Sequence, residues 1–244
     1  MTRLNTFPAR TAPFPPLRRS HLLVVLLFTL PVVLTAQPLV SWNVNGLDAQ
    51  EAGTLQGTLA THLSLGALGL GSGASASATN HTFGGTGFDQ TTLSGALNDG
   101  DYLSFTIAPV EGYTASIGSI TANIGIGSTT GFNVALLSSA TGGFAEGNEL
   151  WTYEFSSTTP PPQSITLSSV TGLQSISGTI DFRLYGWRDS AGTSTFRIRD
   201  LSGADLSISG TTAPSAIPEP STYAAILGGV SLAGVIVYRR RRNR

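Results

Sequence analysis

The sequence predicts an all-β fold: a single antiparallel β-sandwich of jelly-roll type, occupying residues 37–210. Three observations carry that reading. Short runs of apolar/polar alternation recur about every 8–14 residues from Asp99 onward. The segments between them are rich in Gly, Ser, Asn and Asp, the residues that supply turn conformations. No window of about 12 residues between 80 and 210 shows the 3.6-residue apolar period of an amphipathic helix.

Each element follows from its own pattern. Gln37–Asn45 alternates, with Val40, Trp42 and Val44 on one face, and is the expected first strand. Gln56–Leu65 fits a strand pair or a poor helix. The Gly/Ser/Ala run Leu68–Ser77 reads as a loop, and Asn80–Asp89 as a turn-rich segment. Asp101–Ile107 points Leu103, Phe105 and Ile107 inward. Ala115–Ile126 alternates in two registers whose phase changes near Gly118-Ser119, which predicts a β-bulge. Phe132, Val134 and Leu136 share one face of the next strand, and Trp151, Tyr153 and Phe155 share a face of the strand after it. Pro160-Pro161-Pro162 is a connection, because proline cannot donate to a ladder. Ile165/Leu167 follow. Ile180, Phe182 and Leu184 are expected inward, with Asp181, Arg183, Tyr185 and Trp187 outward. Phe196/Ile198 and Leu206/Ile208 complete the set.

Both ends differ from this body. Arg18-Arg19 precede the apolar run 21–34, and Thr35-Ala36 offers a small-residue cut, so residues 1–36 read as a secretory signal peptide cleaved after Ala36. Ser20-His21-Leu22 fits a twin-arginine motif poorly. Residues 211–217 form a linker. Pro218-Glu219-Pro220-Ser221 comes next, held extended by its prolines. The uncharged run Tyr223–Tyr238 can form a membrane helix of roughly 24 Å, short of a ~30 Å hydrocarbon core. Arg239, Arg240, Arg241 and Arg242 then mark the cytoplasmic side, within a basic tail that ends at Arg244.

This ordered triple, at 218–242, resembles the PEP-CTERM sorting signal of bacterial exosortase substrates. The resemblance implies that Pro218, Glu219, Pro220 and Ser221 are presented to a membrane-embedded, cysteine-dependent exosortase after export through the secretion translocon. It also implies transient inner-membrane anchoring, then a cell-surface or matrix destination in a bacterium that makes exopolysaccharide. The residues alone also allow a plain C-terminal anchor helix with a proline-rich segment before it. Thr179–Asp200 is similar to the closing hairpin of extracellular β-sandwiches that carry this tag.

Charge narrows the body's partners. There are 13 Arg and no Lys or Cys in the chain, so disulfides and thiol chemistry are excluded. Between Gln37 and Ile217 four Arg face 13 acids, a net charge of −9, which argues against nucleic-acid binding. Beyond the export signal the histidines are His62 and His81, too few for a zinc site or triad without further partners.

No cofactor is expected for the body. The best local acid cluster, Asn98-Asp99-Gly100-Asp101, reads as a turn entering a strand, with a structural Ca²⁺ as the sharper alternative. Glu146, Glu149, Glu154, Asp181 and Asp189 would serve a hydrolase only if two of them converged. Trp151/Tyr153 and Tyr185/Trp187 either pack the sandwich or form a sugar platform. Arg183, Arg188, Arg197 and Arg199 read as a cross-strand charge ladder, in which Arg183 and Arg197 sit across from each other or pair with nearby Asp181, Asp189 and Asp200, with acidic-polysaccharide binding as the alternative. The expectation is therefore a non-enzymatic structural or adhesive body, then a carbohydrate (exopolysaccharide) binding module, and last a hydrolase.

Overall fold

The computed structural model describes residues 37–47, 54–76, 79–127 and 131–215, with scattered positions between 224 and 242. The chain divides into two units, of which the first, Met1–Val33, lies outside the described residues. In chain order the elements are β1 (Gln37–Trp42), β2 (Thr54–Gln56), β3 (Thr58–Leu59), β4 (Leu63–Leu65), β5 (Ala67–Leu70), β6 (Ser75–Ala76), β7 (Thr82–Phe88) and helix α1 (Leu93–Asp99). They continue with β8 (Tyr102–Pro109), β9 (Tyr113–Ala122), β10 (Ile124–Ile126), β11 (Phe132–Ser138), β12 (Trp151–Phe155), β13 (Gln163–Thr166), β14 (Ile180–Arg188), β15 (Ser194–Arg199) and β16 (Leu206–Pro214).

The strands form three antiparallel sheets. One has seven strands, six in the order β12-β11-β14-β8-β5-β2 and a seventh, β4, paired with β8. A second runs β13-β9-β16-β1-β3, and a third β10-β15-β7-β6. Only Asn123 separates β9 from β10, so the second and third sheets continue from one another along the chain. Aromatic rings show what faces what. Phe105 of β8 meets Trp42 of β1 edge-on at 5.9 Å, and Phe132 of β11 lies 5.7 Å from Phe196 of β15. The largest sheet therefore packs against both others, which makes an all-β sandwich. Its core is one continuous cluster that includes Trp42, Phe83, Leu103, Phe182 and Ile208.

The alternation in the sequence maps onto this core. Leu103, Phe105, Ile107, Ile180, Phe182 and Leu184 are all buried. The bulge falls where the phase changes: Ser209 pairs with Ser119 and Gly210 with Ile117, leaving Gly118 as the extra residue.

Four expectations change. First, Asn80–Asp89 is not simply turns: it contains β7, whose Phe83 and Phe88 are buried. Its Gly84, Gly85 and Gly87 hid the strand pattern. A Cβ on Gly84 would lie 2.5 Å from the Arg197 side chain, and one on Gly85 would lie 2.6 Å from the Ser75 carbonyl, so close backbone approach requires glycine there. Second, Leu68–Ser77 is not one loop, since β5 and β6 both lie within or across it. Third, Tyr185 is buried, because α1 covers the outer face of the largest sheet with Leu93 and Ala96 against Ala135, Leu137 and Tyr185. That helix is only 7 residues long, started by the Thr92 side chain accepting from the Gly95 N–H and stopped at Gly100 with φ +85°. It is too short to show a helical period. Fourth, Thr179–Asp200 is not a hairpin. β14 pairs with β8 and β11, whereas β15 pairs with β7 and β10 in a different sheet. Alternation reports which face is buried, not which strand is the partner.

The expected linker at 211–217 begins later, because β16 runs on to Pro214 and pairs Thr211–Pro214 with β9. The tag falls mostly outside the description. Ala36, Pro218, Glu219, Pro220, Ser221, Arg240 and Arg241 are not among the described residues. Positions 226–231 are helical, with Ile226, Leu227 and Val230 exposed, and Arg239 and Arg242 are also helical and exposed. Among the described residues no helix is long and apolar enough to cross a membrane.

Candidate functional site

Two arginines stand on the outer face of the smallest sheet. Along β15 the core takes Ser194, Phe196 and Ile198, which sends Thr195, Arg197 and Arg199 outward. Arg197 pairs across to Gly84 on β7 and to Gly125 on β10. Neither neighbour has a side chain, so Arg197 lies in a trough. A Cβ on Gly125 would lie 3.3 Å from the Arg199 Nε and closer still to its aliphatic stem, so that glycine also makes room for Arg199. The result is an open cleft of about 660 Å³, bounded by His81, Thr82, Thr158, Thr159 and Asp200 besides the arginines and β10.

The arginines are held without a carboxylate. Arg199 donates from Nε to the Ile124 carbonyl and from Nη2 to the Pro160 carbonyl, both at 2.8 Å. Arg197 donates from Nη1 to Thr79 Oγ1 at 3.0 Å and from Nη2 to Thr195 Oγ1 at 3.3 Å. Among the described residues the only ion pair is Arg183–Asp181, at 3.1 Å. Asp200, at the cleft, is thus not in ion-pair contact with either arginine. Burial, and then the like charge of Arg197, lower the Arg199 pKa. The cleft therefore concentrates positive charge on a body whose net charge is −9. Such a surface favours an anion, with planar guanidinium groups suited to carboxylate or sulfate oxygens.

This overturns the grouping of four arginines in one ladder, while the expected pairing of Arg183 with Asp181 is present. Arg183 lies in the other layer, paired with Asp181 on its own strand and stacked over Phe144 at 3.8 Å and Tyr102 at 4.4 Å. Arg188 donates to the Thr193 carbonyl at 3.5 Å. Only Arg197 and Arg199 share a site.

The other candidates separate clearly. His81 Nδ1 accepts from the Gly46 N–H at 3.0 Å, and His62 stacks on Tyr113 at 3.7 Å. Asp189 accepts from Asn133 Nδ2 at 2.6 Å, and Glu149 accepts from the Gly147 N–H at 2.9 Å. Trp151 and Tyr153 lie with ring planes 4° apart and centroids 5.8 Å apart on edge strand β12, and Tyr153 is 47% exposed. Tyr185 and Trp187 pack instead against the cluster beneath α1. Asp99 and Asp101 do come together, and Asp89 joins them: one ligand oxygen from each lies within 4.8 Å of the other two. Asp89 escaped sequence reasoning because it is ten residues away, beyond α1, and only the helix brings it back.

No protein-family model matches the chain, and no curated protein matches it. Among solved structures, the carbohydrate-binding module TmCBM61 in complex with β-1,4-galactotriose is similar at 17% identity with a TM-score of 0.23. The match spans 44% of this chain and 63% of that one, and at this score it fixes neither fold nor ligand here.

Proposed function

We propose that the chain is an exported surface or matrix protein whose non-catalytic β-sandwich holds an anionic polysaccharide at the Arg197/Arg199 cleft. One observation carries the binding step: two adjacent guanidinium groups without a carboxylate partner, in a glycine-lined trough, on an otherwise acidic body. The acidic body repels polyanions elsewhere and so confines them to this cleft. Affinity electrophoresis in gels containing an acidic or a neutral polysaccharide tests it. The acidic polymer should retard the protein, added salt should relieve the retardation, and Arg197→Gln should weaken it roughly tenfold, the loss of one charge-assisted contact. Equal retardation by the neutral polymer, or no change in Arg197→Gln, would refute the cleft. The parallel Trp151/Tyr153 rings support a second reading, stacking on a neutral sugar, which predicts retardation that is insensitive to salt and lost in Trp151→Ala.

Delivery rests on the termini. The signal-like 1–36 segment and the Pro218–Ser221 motif before an apolar run and arginines support export through the translocon and exosortase processing. The exposed Ile226, Leu227 and Val230 on a helical segment suit a lipid environment better than water. Intact mass of the protein from its native host tests the step. Loss of the segment after the motif, abolished in Glu219→Ala, is expected. A mass that retains Arg239–Arg244 would instead mean a plain anchor.

A further inference from the structure

The carboxylates of Asp89, Asp99 and Asp101 sit at the end of the sandwich where α1 stops and the β5–β6 connection folds over. Asp101 is fully buried, and the Asp89 and Gln90 N–H groups lean toward its carboxylate without closing a well-formed hydrogen bond. A buried carboxylate so weakly held is disfavoured unless something compensates it. The nearest side chains make matters worse, since Asp89 and Asp99 each place an oxygen within 4.8 Å of it and of each other. Gln90 Nε2 donates to Asp89 Oδ1 at 3.1 Å and to Asp99 Oδ2 at 3.4 Å, which orients those two groups without neutralising them. The trio also lies at the C-terminal end of α1, where the helix dipole disfavours negative charge.

These oxygens pack closely against Gly73. A Cβ on that residue would collide with Asp101 Oδ1, and would lie 2.9 Å from the Asp99 carbonyl oxygen and 3.2 Å from Asp99 Oδ2. The Asp101 and Asp99 oxygens thus press against the Gly73 main chain, and any other residue there would push them aside. Gly73 is fixed there by its N–H donating to the Gly100 carbonyl at 3.1 Å, and Ser72 Oγ donates to the Asp99 carbonyl at 3.2 Å.

We propose that Asp89, Asp99 and Asp101 bind a divalent cation of calcium type, which locks the Gly71–Ala74 connection onto the end of α1. The donor set is oxygen throughout, with no nitrogen or sulfur, which selects a hard cation over zinc or copper. Main-chain carbonyls mixed with carboxylates suit calcium's larger and more flexible shell, and magnesium prefers to keep its waters. The site is remote in sequence from Arg197 and Arg199 and stands or falls independently of the polysaccharide reading.

The test is thermal unfolding of the full chain in detergent, stripped with chelator and then titrated with calcium or magnesium chloride, alongside calorimetric titration with calcium. Calcium should raise the unfolding temperature saturably by several degrees, with one ion bound per chain and a weaker response to magnesium. Asp101→Asn should remain folded without calcium, since it removes the uncompensated charge, yet lose the calcium response. Gly73→Ala, which keeps all three carboxylates but displaces Asp101 Oδ1, should lose it as well. Absence of any calcium-dependent shift in the wild type, or an undiminished shift in Asp101→Asn, would overturn the site. An equal response to magnesium would overturn the calcium assignment.

Discussion

Asp205 offers the sharpest test of how the sandwich is held together. Its carboxylate is fully buried, and three donors converge on it. Oδ2 accepts from the Val44 N–H at 2.9 Å, and Oδ1 accepts from Asn123 Nδ2 at 3.1 Å and from the Leu201 N–H at 2.7 Å. Its own backbone adds two links, the Asp205 N–H to the Trp42 carbonyl and the Asn123 N–H to the Asp205 carbonyl. One side chain thereby ties the end of β1 to the β9–β10 junction and the approach to β16. Asp205→Ala strands three donors. Hydrogen bonds to a charged acceptor contribute about 1.5–3 kcal/mol each, and donors that relax toward water recover part of the loss. The expected destabilisation is about 3–5 kcal/mol, or about 6–20 °C in unfolding temperature for a body of this size. Asp205→Asn keeps one acceptor oxygen but turns an NH₂ toward a former donor, and should lose about half as much. Urea unfolding followed by tryptophan fluorescence measures both, with buried Trp42 as a reporter. A loss below about 1 kcal/mol for Asp205→Ala at unchanged m-value would refute the reasoning.

Three further outcomes are expected. Asp101 is pushed up from 3.8 to about 7, first by burial and then by Asp99 and Asp89. Folded Asp101 then holds its proton more tightly than the unfolded chain does, so stability of the metal-free protein falls as pH rises from about 4 to about 7. The full shift corresponds to about 4 kcal/mol, lowered to about 2–3 kcal/mol by solvent around exposed Asp89 and Asp99. Urea midpoints across that range in chelator should show the slope, and Asp101→Asn should flatten it. Arg183→Ala leaves Asp181 half-buried and unpaired and removes the stacking on Phe144 and Tyr102. It should lose about 2–4 kcal/mol, and adding Asp181→Asn should restore part of that in a double-mutant cycle. Phe132→Ala empties the contact with Phe88 and Phe196 that joins two sheets, for about 3–5 kcal/mol, while Tyr153→Ala on the exposed edge should stay within about 0.5 kcal/mol in the same denaturation assay.

Much of this fold was legible where side chains alternate. Leu103/Phe105/Ile107 and Ile180/Phe182/Leu184 read directly as buried faces, and the phase change at Gly118 located a real bulge. Legibility stopped where the deciding feature was not an alternating side chain. In β7 the glycines that permit close backbone contact also erase the pattern. Tyr185 looked outward-facing because a strand's second face reads as polar or aromatic whether water or a short helix covers it. The arginines were recognised, but their grouping was not, since Arg183 and Arg197 are similar in spacing to a hairpin pair and belong to different sheets. Asp99 and Asp101 were visible as neighbours in sequence. Asp89 and Asp205 were not, because partners reached across a helix or through a sheet leave no local signature.

The pairing of β1 with β16 sets an order of events. Gln37 lies opposite Gly210, and Trp42 opposite Leu206, so the first described strand finds its place beside the last. β16 is also the strand between β1 and β9 in its sheet. Until Leu206–Pro214 has been synthesised, β1 and β9 lack their shared neighbour and that layer cannot close. A chain threaded amino end first therefore stays open until nearly all of it has emerged, held by contacts that are distant in sequence and slow to form. The final strand acts as a keystone, and truncation just before it should leave an unclosed layer with two bare strand edges instead of a slightly smaller sandwich.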